Sequence, residues 1–183
     1  MKLHNNTTID DDLVRRLITK AGRAAGARTN GVVVFVNQGS GYRSSGVAHR
    51  CDMVRIYNGK RSRRASRGRW NRTDGGYFVI RMPRTAIDGT GNPFPDPVDQ
   101  ATNFFRVAVH EFAHIRDYQS IRAGERLDWS RKINGRRPAH SVRPEEERAF
   151  ATVAECCDHG DAETRACHEI VDLAIALEEK ARA

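Results

Sequence analysis

The strongest constraint on this chain is a long helix that must bury one face and still carry two histidines and a glutamate at its centre. Asp96-Pro97, followed by Asp99, marks its start: Asp96 caps, and Pro97 takes the first helical position, where a missing N–H costs nothing. Apolar residues then recur at Ala101, Phe104, Phe105, Ala108, Phe112 and Ile115, the 3.6-residue stripe of a core-facing helix. Gly124 reads as the C-terminal stop. Within this stretch stands His110-Glu111-Phe112-Ala113-His114, the pattern H-E-x-x-H.

Residues four apart on a helix stack on one face, so His110 and His114 can grip a single divalent metal. Glu111 sits one residue round the helix, where its carboxylate can reach a water on the metal and act as the general base of a zinc hydrolase. A catalytic zinc usually takes three protein ligands, so a third is needed. Asp117 lies on the same face, but a rise of about 1.5 Å per residue leaves it roughly 7.5 Å along the axis from a metal held midway between the histidines. That distance suits an outer role, accepting a proton from His114. The segment Arg143-Pro144-Glu145-Glu146-Glu147-Arg148-Ala149 offers a second helix, opened by Pro144 with glutamates in its first turn. Glu146 shares a face with Ala149, whose small side chain allows close packing, and is the first candidate ligand. Glu145 and Glu147 point about 100° to either side, toward solvent or Arg143 and Arg148. Glu145, Glu147 and Asp117 stay open as alternatives.

These residues resemble the zincin metallopeptidases. H-E-x-x-H, followed 32 residues after His114 by Glu146 within R-P-x-E-x-x-A, is similar to the small gluzincins and among them to the ImmA/IrrE-type peptidases. The likeness spans about residues 31–158 and rests on about eight positions. The N-E-x-x-S-D signature of the thermolysin-like enzymes and the third histidine of the metzincins are both missing. The DNA-associated SprT-like proteases match more loosely, because their downstream histidine–tryptophan pattern is missing too. The resemblance implies an α+β fold: a single zincin-like domain with an N-terminal helix, a small twisted mixed sheet, the H-E-x-x-H helix and C-terminal helices. It implies one catalytic Zn2+ on His110, His114 and Glu146, with Glu111 as base for hydrolysis of peptide bonds in a protein substrate. It further implies a sheet whose edge strand aligns an extended peptide, and residues 77–82, just before the motif helix, are the candidate edge. His140, Arg143 and Tyr118 are the candidates to stabilise the oxyanion.

A chain of 183 residues can bury one sizeable core, so residues 1–183 are read as one domain with its core at about 31–158. No apolar run reaches the length of a membrane span, and the first residues lack the apolar core of a secretory signal, so a cytoplasmic location is expected. Thr8 and Asp11 are candidate caps for a helix carrying Leu13, Val14, Leu17, Ile18 and Ala21 and ending near Gly26. Val32–Val36 reads as a buried strand, Met53–Tyr57 as a strand ending in the Asn58-Gly59 turn, and Tyr77–Met82 as a third. A last helix is expected over 161–181, with Ala166, Ile170, Leu173, Ala174 and Leu177 on one face. Cys156, Cys157, His159, Cys167 and His168 crowd the turn before it. Their spacing lacks the usual C-x-x-C of a structural zinc site, so buried free thiols are the better reading.

Charge is concentrated. Between Arg43 and Arg84 twelve Arg or Lys face two Asp, in a chain whose net charge is +8. The densest part, read as a basic loop over 60–72, holds Arg61, Arg63, Arg64, Arg67 and Arg69 and reaches Trp70, a composition suited to phosphate contacts and base stacking. A rival class of function is therefore a basic nucleic-acid-binding protein whose metal motif is structural or decayed. If those five arginines neutralise phosphates, log affinity against log salt should fall with a slope of roughly −3.5 to −4.5. Replacing all five with glutamine should abolish the binding, and unchanged affinity in that variant would make the segment ordinary solvated surface.

Overall fold

The computed structural model describes residues 1–36, 47–50, 56–57, 60–61, 78–82, 96–120 and 144–183. In chain order these form β1 (Lys2–Asn5), α1 (Asp11–Ala24), β2 (Val32–Val36), β3 (Val47–Arg50), β4 (Ile56–Tyr57), β5 (Lys60–Arg61), β6 (Phe78–Met82), α2 (Pro97–Gln119) and α3 (Pro144–Val153). A π-helical turn (Ala154–Asp158), α4 (Ala162–Arg165) and α5 (Cys167–Arg182) follow. The fold is α+β, with a four-stranded sheet in the order β1-β2-β6-β3. The first three strands run parallel and β3 is antiparallel to β6. A separate hairpin pairs β4 with β5 across positions 58–59.

One face of the sheet is the core face. Val32, Val34 and Val36 lie in register with Phe78, Ile80 and Met82, and all six are buried. Val33 and Phe35 are only half-buried, so the continuous apolar run of β2 is a one-faced strand rather than one covered on both sides. On its other face His4 of β1 stacks on Phe35 opposite, ring centroids 4.7 Å apart.

α2 packs against this sheet at β3 and β6, and α1, α3 and α5 pack against α2. Asp96 caps it as its sequence requires, accepting from Val98 N–H at 2.7 Å and Asp99 N–H at 3.1 Å. Ala101, Phe104, Phe105, Ala108, Phe112 and Ile115 are all buried, each large one worth about 1.5–3 kcal/mol of transfer free energy. The helix ends at Gln119, short of Gly124, which lies outside the described residues. α1 buries the expected Leu13, Val14, Leu17, Ile18 and Ala21. Its cap is Asp10, which accepts from Leu13 N–H at 2.8 Å, rather than Thr8 or Asp11.

Three further expectations change. Tyr77–Met82 was the expected sheet edge, but β6 is paired on both sides, and among the described residues the edges are β1 and β3. Of Met53–Tyr57 only Ile56–Tyr57 is described as strand, and it belongs to the small hairpin. The last helix is two, α4 and α5, joined at Ala166, whose N–H bonds to both Ala162 and Glu163 carbonyls. Ala166, Ile170, Leu173, Ala174 and Leu177 nevertheless form the buried face foreseen. Among the described residues no helix is long and apolar enough to cross a membrane.

α1 and α2 approach closely at Gly22. A Cβ there would stand 2.7 Å from Thr29 Cγ2 and 3.1 Å from Phe112 Cε1. Phe112 lies between Glu111 and His114, so this contact holds the motif helix from the side opposite the histidines. Gly22→Val should therefore destabilise the fold by about 2 kcal/mol or more, read as a lowered midpoint in urea unfolding. An unchanged midpoint would show that the contact yields freely.

Candidate metal centre

The centre is built where α3 crosses α2. His110 and His114 stand one turn apart on α2, their rings edge to face with centroids 4.8 Å apart. Ala149, only 2% exposed, lets α3 approach, and Glu146 one turn earlier comes down onto both imidazoles. His110 Nε2 is 3.2 Å from His114 Nε2 and 3.2 Å from Glu146 Oε2, and His114 Nε2 is 3.5 Å from the same oxygen. Among the described residues these three are the His/Cys/Asp/Glu group that could hold a metal ion.

Does the triangle fit an ion? Three donors bound tetrahedrally at about 2.0–2.2 Å stand about 3.3–3.6 Å apart, close to the sides measured here. Hydrogen bonds satisfy the triangle less well. A proton on His110 Nε2 can aim at His114 or at Glu146 but not at both, whereas a central cation meets all three lone pairs at once. The electrostatics agree. Burial opposes a proton on His114, but the Glu146 hydrogen bond and the charges of Glu111, Glu146 and Glu145 outweigh it and raise its pKa. Those carboxylates thus favour positive charge at this point, which a proton or a bound cation would supply.

Outside the triangle, the structure redistributes the roles of the neighbours. Glu145, expected to face solvent, is 7% exposed. Its Oε1 lies 3.8 Å from His114 Nδ1 and accepts from the Tyr118 hydroxyl. Asp117, expected to accept from His114, instead binds Arg116 at 3.1 Å and Arg148 at 3.4 Å. Arg116 also donates to Thr152 at 3.1 Å, so this cluster clamps α2 to α3 and keeps Glu146 in place. The carboxylate behind His114 is therefore Glu145. Tyr118 stands four residues after His114 and hence on its face, which is the one signal in the sequence that pointed to this pairing. Glu147 is exposed, and Glu111 is 3% exposed beside the ligands. Phe150, which sequence reasoning passed over, packs its ring on His110 with centroids 4.6 Å apart.

His140, Arg143, Arg63, Arg64, Arg67, Arg69 and Trp70 lie outside the described residues, whereas Lys60 and Arg61, expected in a loop, form strand β5 by pairing with β4. Among the described residues the cysteines are free, but only one of the three is a buried thiol as expected. Cys157 is buried, its thiol pushed up to about 12 chiefly by desolvation, Cys156 donates to the Ala24 carbonyl at 3.2 Å, and Cys167 is exposed. With His159 and His168 they form no metal-ligating group among the described residues. Comparison with protein families, curated proteins and solved structures finds no match for this chain.

The geometry orders the glutamates. Glu146→Ala removes a donor of the triangle and should weaken metal binding most in a chelator competition. Glu145→Ala removes a charge 3.8 Å from His114 Nδ1 rather than a hydrogen bond, so it should cost less than about 10-fold, and exposed Glu147→Ala nothing measurable. A larger loss for Glu145 than for Glu146 would exchange their places.

Proposed function

We propose that the protein is a zinc-dependent metallopeptidase of the minimal gluzincin type, hydrolysing peptide bonds in a protein substrate. The observation that carries this reading is the triangle of His110, His114 and Glu146 with a buried glutamate, Glu111, next to His110 in the chain. Two imidazoles and one carboxylate are a donor set of catalytic zinc, and they leave a fourth position for substrate or water. The resemblance of H-E-x-x-H and the later R-P-x-E-x-x-A to gluzincins supports the same reading.

His110, His114 and Glu146 would hold the ion. Bound zinc supplies a Lewis acid that lowers the pKa of water toward neutrality and polarises a carbonyl oxygen. The remaining chemistry belongs to the chain. Glu111, held in a mostly dry position on a rigid helix, takes a proton from the attacking water and returns it to the departing amine. Glu145, itself held by Tyr118, places a carboxylate charge 3.8 Å from the Nδ1 side of the His114 ring and so favours positive charge on it. The clamp of Asp117 with Arg116 and Arg148 fixes the two ligand-bearing helices against each other, so the donors need not reorganise when the ion arrives.

Glu111→Gln tests the assignment. The variant should bind one zinc per chain by elemental mass spectrometry and remain folded. Its kcat/KM on a casein-type substrate should fall by about 10²- to 10⁴-fold, the usual worth of a general base. Turnover at the wild-type rate would remove Glu111 from the mechanism, and a folded wild type that takes up no metal would remove the reading altogether.

A further inference from the structure

Phe150 stands largely exposed beside the candidate metal centre. It is 58% exposed, on a helix whose other outward residues nearby are Glu147, Arg148 and Ala151. Four large hydrophobic residues are exposed among those described, Val98, Phe150, Val171 and Ile175, and of these Phe150 packs on a ligand of the triangle. It follows Glu146 by four residues and so lies on the same helix face, one turn along. Its ring leans on His110 at 57°, and His110 is the more accessible histidine, its side chain 14% exposed against 7% for His114. His110 is thus the imidazole that solvent reaches more readily, and Phe150 stands beside it.

We infer that Phe150 is the apolar wall of a side-chain subsite beside the metal, and that the preferred substrates carry a bulky apolar residue next to the bond being cut. This inference rests on the peptidase reading above. A phenyl ring half in water gains hydrophobic free energy when an apolar side chain covers it, and the partner that approaches His110 is the substrate. Phe150 would thus select the substrate rather than take part in the proton transfers. Its ring lacks any group able to move a proton or hold charge, and discrimination by such a wall rests on apolar area alone.

The test uses zinc-loaded full-length protein and two peptide hydroxamates that differ only in carrying a phenylalanine or a glycine side chain next to the hydroxamate. Calorimetry should show the phenylalanine compound binding about tenfold tighter to wild type, the size of preference that partial burial of one ring supplies. In Phe150→Ala the ratio should fall to within about twofold with zinc content unchanged, and Phe150→Leu should restore most of it. No preference in wild type, or the same preference in Phe150→Ala, would overturn the inference. Wild type that shows the preference but hydrolyses no peptide of either kind would leave the apolar subsite standing and overturn the peptidase reading alone.

Discussion

The structure turns on one demand: α2 must be covered on nearly every side while four of its ionisable groups stay out of water or nearly so. His110, Glu111, His114 and Asp117 occupy barely two turns, and the last three are each no more than 6% exposed. Leaving such charges unpaired would cost several kcal/mol apiece. Part of the compensation comes from Arg116 on α2 itself, which bonds Asp117 at 3.1 Å, and part from α3. Glu146 faces the imidazoles, Glu145 backs one of them, and Arg148 meets Asp117. A helix of ten residues is thus tied to its place by polar contacts rather than by apolar area.

The opposite side of α2 is held by ordinary packing. Phe104, Phe105, Phe112 and Ile115 fill the space toward the sheet, α1 and α5, and Gly22 brings α1 in close. At its flank Arg106 bonds Asp158 at 2.8 Å and Glu163 at 2.5 Å, fastening α2 to the π-helical turn and α4. Rigid on one side and polar on the other, the helix offers its histidines on a fixed base, which is what a preorganised site requires.

Much of this was legible in the sequence, for reasons that differ by residue. The α2 cap and stripe are local signals, and Asp96-Pro97 with a 3.6-residue period leaves few alternatives. Glu146 could be picked out because Ala149 marked the face of close approach. Glu145 could not, since its burial depends on how far α3 rotates against α2, which no local pattern encodes. Asp117 failed as a partner of His114 for a related reason: Arg148 comes from another helix and captures it. The sheet was readable only in part. β2 and β6 are rich in β-branched and apolar residues, but β1 is Lys-Leu-His-Asn, with polar residues at three of four positions, and becomes a strand by pairing with β2. That β6 lies inside the sheet follows from β3 pairing along its far side, a long-range fact.

The π-helical turn after α3 has its own consequence. Its marker is the bond from His159 N–H to the Ala154 carbonyl, spanning five residues instead of four. Up to that point the inward residues keep α-helical phase, with Glu145, Glu146, Ala149 and Thr152 buried; beyond it Cys157 rather than Cys156 is the buried member. The turn therefore works as a phase shifter, letting upstream and downstream segments each choose their own inward face. Loss of one residue within 154–158 would restore an unbroken α-helix but rotate everything after it by about 100°. The half of the rod that faces the histidines and the half that faces the core thus set their inward sides separately.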